Sequence, residues 1–212
     1  MANKEIIWLA SWPRSGNTLL RTILWQCFGL RSTSFYRNDI GKNKKLEEYV
    51  GHIEKSNEAR ILLGDFPLMK THELQPNDNP AIYIVRNGKA ATLSLFQFYK
   101  EAVPLETIIE GHHGFGTWTD HLKSWRPWER RNTLLLKYED VLSDLPGTLN
   151  KISTFLGVKI LNDTLPPRDT IAGTDGRWVK SASHSKPDFS EALSKRFIEI
   201  NGEMLKKLGY DL

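Results

Sequence analysis

Three short polar segments carry residues able to grip an anion or move a proton. In Pro13-Arg14-Ser15-Gly16-Asn17-Thr18, Gly16 permits a turn that exposes successive backbone N–H groups, and a following helix would add its positive end. Arg14 contributes a permanent charge, and Ser15 and Thr18 contribute hydroxyl donors. Phosphate binds well in such a place, although a plain strand-to-helix turn with a capping residue has the same composition. Lys70-Thr71-His72 sets an ammonium two residues from an imidazole. A histidine of ordinary pKa, about 6.5, is mostly neutral and basic near pH 7, which suits a general base. Arg86-Asn87-Gly88 is a polar turn, with Ser94 eight positions after Arg86. The bland reading of that pair is a surface arginine and an ordinary helical serine.

These segments follow short apolar runs. Ile6 to Ala10 precedes the first loop, and Leu19 to Phe28 reads as a helix after it. Ala81 to Val85 precedes Arg86, with a helix to about Tyr99. Thr133 to Leu136 ends in Lys137-Tyr138-Glu139-Asp140, and Leu145 to Leu156 reads as a helix closed by Gly157. Ile61-Leu62-Leu63 and Leu68-Met69-Lys70 supply a further strand around Pro67. A last helix from about Ser190 sets Leu193, Phe197, Ile200, Met204, Leu205 and Leu208 at packing spacing. Nearly continuous apolar runs are typical of strands buried on both faces, and their alternation with helices predicts an α/β fold with a central parallel sheet. Such sheets bind ligands at the carboxyl ends of their strands, where the loops at Pro13, Lys70, Arg86 and Tyr138 would converge.

The first loop is not a Walker A motif: the first glycine is absent and no lysine follows Gly16. It resembles the phosphosulfate-binding loop of the sulfotransferases that use 3′-phosphoadenosine-5′-phosphosulfate (PAPS). The strand–arginine–serine pattern of Arg86 and Ser94, the triplet Lys70-Thr71-His72 and Tyr138-Glu139-Asp140 resemble that family's further segments. The resemblance runs from Ile6 to about Gly157, with a weaker match reaching Trp178. It implies a P-loop NTPase-like fold with a modified loop, PAPS as donor and 3′-phosphoadenosine-5′-phosphate (PAP) as product. It implies His72 as base, Lys70 on the transferring group and Arg14 on the leaving oxygen, with Ser15, Gly16, Asn17 and Thr18 around the 5′-phosphate. Arg86 and Ser94 would hold the 3′-phosphate, Tyr138 would lie near adenine, and no metal would be needed. The family's C-terminal glycine-rich grip corresponds to Ile171 to Gly176, which keeps Gly173 and Gly176 but lacks the two basic residues; Arg168, Arg177 or Lys180 would have to substitute. The family's adenine-stacking tryptophan is replaced by Leu19, with Trp12 as a candidate substitute.

Composition sets outer bounds. The 212 residues fit one domain, 1–212, and a hydrophobic share of 40% beside 25% charged residues is that of an ordinary globular chain. A single cysteine, Cys27, excludes an internal disulfide framework and, with the absence of a signal-peptide pattern or membrane span, leads to an expected cytoplasmic location. The net charge of +4 comes without a basic cluster of the nucleic-acid type, since Lys42 to Lys45 is short and followed by Glu47 and Glu48. Binding to nucleic acid or membrane is therefore not expected, and monomer and dimer both stay open. The stretch His112 to Trp118, with Trp125 and Trp128, is a candidate wall for a small-molecule hydroxyl or amine acceptor; a plain surface loop is the equal alternative. Two rival functions remain at this point: a nucleotide or small-molecule kinase on a related fold, and a non-catalytic PAP-binding module.

Overall fold

The computed structural model describes residues 6–37, 39–53, 67–176, 179 and 188–212. Five strands form one sheet: β1 (Ile7–Ala10), β2 (Ser32–Ser34), β3 (Leu68–Thr71), β4 (Ala81–Val85) and β5 (Thr133–Lys137). All pairings are parallel, in the order β2-β3-β1-β4-β5, so β1 is the central strand. Leu9 sits opposite Lys70 on one side and Ile82 on the other, which sets the carboxyl ends of β1 and β3 level at Ala10 and Thr71, with β4 running on from Tyr83 to Val85.

Strands β1 to β4 are almost wholly buried and β5 partly so, and the side chains of the central strands alternate between two cores. Trp8, Ala10, Met69, Tyr83 and Val85 enter one; Leu9, Leu68, Ile82 and Ile84 enter the other. The second core is closed by α1 (Asn17–Phe28), α6 (Tyr138–Ser143) and α7 (Leu145–Leu156), through residues such as Leu20, Ile23, Val141 and Ile152. The first is closed by α3 (Gly88–Phe98), α4 (Leu105–Ile109), α5 (Trp118–Trp125) and α9 (Glu191–Lys207). A short 3₁₀ segment (Asp39–Lys42), α2 (Lys44–Val50) and α8 (Arg168–Ala172) complete the described elements. The expected doubly covered parallel sheet is the observed one.

Local chemistry sets the helix limits. The chain enters α1 through Gly16 and leaves it through Gly29, both left-handed, with the Gly29 N–H returning to Trp25 O. Asn87 caps α3 by accepting from the Ala90 N–H, Thr117 and Asp120 form a capping box on α5, and Ser190 caps α9. The last helix packs as its spacing predicts, with Phe197, Met204, Leu205 and Leu208 buried.

Three differences from the sequence reading have physical causes. α1 starts at Asn17, two residues before Leu19, because the polar first turn belongs to the helix although it buries little apolar surface. Tyr138-Glu139-Asp140 opens a helix directly after β5 rather than a loop. β2 was not predicted: Ser32-Thr33-Ser34 carries no apolar signal, yet all three residues are buried at the sheet edge. The expected strand at Leu68–Lys70 is present and extends to Thr71, whereas Ile61-Leu62-Leu63 lies outside the described residues.

Gly88 shows how tightly α3 is seated. A Cβ there would lie 2.8 Å from Trp118 Cδ2 and 3.0 Å from Phe197 Cζ. Gly88→Ala should therefore cost about 1–3 kcal/mol despite the better helix propensity of alanine, read as a lower urea midpoint at unchanged m-value.

Candidate active site

The loops after β1, β3 and β4 and the start of α6 border one cavity of about 840 Å³ at the carboxyl edge of the sheet. Its wall contains Arg14, Gly16, Asn17, Thr18, Lys70, His72, Arg86, Ser94 and Tyr138, which brings together nine of the eleven expected site residues. Ser15 and Gly173 are not in the wall. Ser15 is fully buried beneath the loop, and Gly173 follows α8 at an ordinary helical φ of −63°, while Arg168 and Ile171 from that helix face the cavity instead.

The first loop is built by backbone conformation. Arg14 adopts φ 63° and Gly16 φ 106°. A Cβ on Gly16 would lie 2.6 Å from the Tyr138 ring, so glycine is required there by both torsion and space. The Asn17 side chain donates to Leu9 O at 2.8 Å and to Ser11 Oγ at 3.3 Å, lacing the strand end to the helix start. Its side-chain donor is thus spent inside the loop, and its backbone N–H is what a ligand can use. The N–H groups of the first turn have no carbonyl one turn earlier to receive them.

The arginines interlock. Arg14 Nε donates to Ser94 Oγ at 3.3 Å, and its guanidinium lies 5.0 Å from the Phe98 ring centre. Arg86 donates to Arg14 O at 3.2 Å and lies 4.8 Å from the Tyr138 ring centre. Arg86 precedes α3 and Ser94 lies within it, and Arg14 closes the gap between them. Glu139 fixes the same corner by accepting from the Asn87 N–H at 3.0 Å and the Tyr210 hydroxyl at 2.8 Å. Burial first, and the Arg86 charge second, push the Arg14 guanidinium down to about 10, still charged at neutral pH. Among the described residues, the wall holds Arg14, Arg37, Lys70, Arg86, Lys89 and Arg168 against Asp39 and Asp188, a formal excess of four positive charges suited to a polyanion.

At the other end, His72 is oriented on several sides. Its Nδ1–H donates to Ser11 O at 2.8 Å, which leaves Nε2 with the lone pair of the neutral ring. Its backbone N–H donates to the Tyr36 hydroxyl at 2.9 Å, and that hydroxyl donates to Glu73 at 2.9 Å. The Tyr36 ring stacks on His72 at 5.9 Å, with Phe115 edge-on at 6.1 Å. Burial, followed by the Lys70 charge, holds the His72 imidazole well below its ordinary pKa, so it stays neutral. Among the described residues, no group of three or more His, Cys, Asp or Glu side chains could hold a metal ion. No helix there is long and apolar enough to cross a membrane.

A sulfotransferase-domain family model matches residues 4–171. The chain belongs to the sulfotransferase family. Rat Sulfotransferase 2A1 is 32% identical over 183 residues, covering 76% of this chain and 62% of its own length. Mouse Sulfotransferase 1 family member D1 is 30% identical over 189 residues, covering 77% and 63% respectively. The chain thus spans about 60–63% of the length of such relatives, mouse Sulfotransferase 4A1 (26% identical) being at the lower figure. In fold it is similar to mouse sulfotransferase SULT7A1 in a crystal structure complexed with PAP, with TM-score 0.63 and 22% identity over 97% of this chain and 85% of that one. A retinol dehydratase structure gives TM-score 0.59 and 19% identity, covering 97% and 81%.

Within this sulfotransferase frame, several expectations change. Trp12 does not line the cavity: it is 1% exposed, donates to Gly116 O at 3.2 Å and meets the His113 ring edge-on. Leu19 does face the cavity, near Leu142 and Leu165. Of the aromatic stretch, Phe115 reaches the cavity. Trp125 instead holds Glu73 O at 2.9 Å, and Trp128 lies under Lys207. Of the proposed basic substitutes, Arg168 lies in the wall, while Arg177 and Lys180 fall outside the described residues. Tyr36 and Asp39 were missed by the sequence reading, since each lies in a polar stretch without a motif and is brought in by the edge strand β2.

His121 supports the end of β3 from behind. Its Nε2–H donates to His72 O at 3.1 Å and its Nδ1 accepts from the Tyr83 hydroxyl at 2.7 Å. Burial pushes its pKa down to about 4. Between about 6.5 and about 4 the unfolded chain binds a proton that the folded chain refuses, so stability is full above pH 6.5 and falls as pH drops through this window. The loss should be on the order of 3 kcal/mol by pH 4 from His121, with His72 adding in the same direction. Urea midpoints measured from pH 7 to pH 4.5 should decline, and His121→Gln, which keeps both hydrogen-bond roles, should make the decline shallower.

Proposed function

We propose that this sulfotransferase-family protein moves a sulfonate group from PAPS to a hydroxyl or amine of a small-molecule acceptor. The observation that carries the reading is the single cavity onto which Arg14, Lys70, His72, Arg86 and Ser94 all open. The donor's 5′-phosphosulfate would lie on the N–H groups of Gly16, Asn17 and Thr18, and its 3′-phosphate would lie between Arg86 and Ser94. Arg168 would add the positive charge that the glycine-rich segment lacks. Tyr138, Leu19 and Leu165 provide apolar surface for the adenine. The acceptor would enter where Tyr36 and Phe115 flank His72.

The chemistry follows from charge and alignment. The acceptor oxygen or nitrogen attacks sulfur in line, the S–O bond to the leaving phosphate breaks, and His72 Nε2 takes the acceptor proton. Lys70 and Arg14 offset the negative charge on the transferring group and the leaving oxygen. The Nδ1–H bond to Ser11 O fixes the tautomer this step needs. The low pKa of His72 keeps the base neutral below the ordinary histidine range, so the acid limb of the rate should lie below pH 6.5.

Calorimetric titration with PAP, with and without Mg²⁺ and against ATP, tests the donor class. Metal-independent binding of PAP in preference to ATP is expected. Binding of ATP alone, and only with Mg²⁺, would replace this reading with a kinase. His72→Ala should retain PAP binding while turnover falls by about 10²–10⁴, which also separates an enzyme from a passive PAP-binding module.

A further inference from the structure

Behind Lys70 lies a buried charge cluster that the mechanism above leaves unused. The Asp39 carboxylate sits between two cations: Oδ1 is 2.7 Å from Lys70 Nζ and Oδ2 is 2.7 Å from Arg21 NH1. The three side chains are 3%, 7% and 1% exposed for Asp39, Lys70 and Arg21. Arg21 spends its remaining donors on the scaffold, Nε on Ser32 Oγ at 2.8 Å and NH2 on His52 Nδ1 at 2.6 Å. Asp39 and Lys70 face the cavity, and Arg21 does not. The carboxylate is thus clamped from α1 and β2 on one side and holds the cavity lysine on the other.

The energetics give this arrangement a consequence. A lysine removed from water tends to shed its proton, and uncharged it would offset no negative charge. Among the described residues, the groups facing Lys70 include Asp39 from the 3₁₀ segment, Arg21 from α1, Arg14 from the first loop, His72 from the end of its own strand, and the Tyr36 ring at 5.4 Å. Burial lowers its pKa most, Arg21 and Arg14 lower it further, and among these groups Asp39 supplies the opposing negative charge. Burial alone would raise the Asp39 carboxyl, but Lys70 and then Arg21 outweigh it and keep the carboxylate ionised.

We propose that Asp39, clamped by Arg21, is a positioning residue that keeps the Lys70 ammonium charged and aimed at the group being transferred. The proposal deepens the sulfonate-transfer reading and rests on it for the identity of that group. The Lys70 proton can be followed without donor or acceptor, by NMR of the ¹⁵N-lysine-labelled protein with the signal assigned from Lys70→Met. In Asp39→Asn, Lys70 should lose its proton at least one pH unit lower than in the unaltered protein; an unchanged titration would overturn the proposal. In turnover, Asp39→Asn should keep PAP affinity, lose on the order of 10-fold or more in kcat, and shift the alkaline limb to lower pH. A fall in kcat without that shift marks Asp39 as merely structural.

Asp39→Glu covers the case in which the asparagine variant does not fold, because it retains the buried negative charge. It should keep the Lys70 titration and alkaline limb near their original pH but lower kcat, since the ammonium is displaced by a methylene. An undiminished kcat in that variant would also overturn positioning. If neither PAP binding nor turnover is found in the unaltered protein, the sulfonate reading fails, and the NMR titration still decides whether Asp39 holds the charge on Lys70.

Discussion

A chain leaving the central strand of a doubly covered parallel sheet must turn sharply before it can enter a helix. Here the turn is made by Arg14 at φ 63° and Gly16 at φ 106°. Left-handed torsion at a non-glycine residue is unfavourable, so the surroundings must hold Arg14 in place. Arg86 donates to its carbonyl, its own guanidinium is occupied by Ser94 and Phe98, and the Tyr138 ring lies against Gly16. These contacts come from the end of β4, α3 and α6, so the shape of the loop depends on elements distant from it in the chain. Once shaped, it presents the free N–H groups of α1 at the edge of the cavity.

Charge is distributed around this loop in two ways. At one end of the cavity, Arg14, Arg86 and Arg168 lie near one another, and Glu139 accepts from the Asn87 N–H and the Tyr210 hydroxyl beside them. Grouped guanidinium charges of this kind suit an anionic ligand. At the other end, Lys70 has a buried carboxylate partner in Asp39. A lone cation in a buried wall would neutralise itself, whereas a paired one stays charged. The two ends of the cavity thus differ: one gathers guanidinium groups, and the other sets a buried, paired lysine beside a neutral imidazole.

The histidine depends on supports that are all structural. Ser11 fixes its tautomer, Tyr36 holds its backbone N–H, and His121 holds its carbonyl. Of these, Ser11 follows the central strand, Tyr36 follows the edge strand and His121 belongs to α5. An imidazole held from three elements has little freedom to swing.

The sequence by itself determined the strands β1, β3, β4 and β5, because apolar runs buried on both faces leave a local signal. It also singled out Arg14, Lys70, His72 and Arg86, because they are contiguous with those runs, and the fold brings all four to one cavity. Only the tertiary structure decided that Ser32-Thr33-Ser34 is a strand, since polar residues become strand where an edge offers backbone partners. It alone decided that Trp12 faces Gly116 and His113, because successive residues after a strand choose their side by packing. It likewise brought Asp39 to Lys70 and Arg21. Residues 31 and 18 positions apart in sequence meet at 2.7 Å only because parallel pairing folds the intervening chain back on itself, and no local pattern encodes that distance.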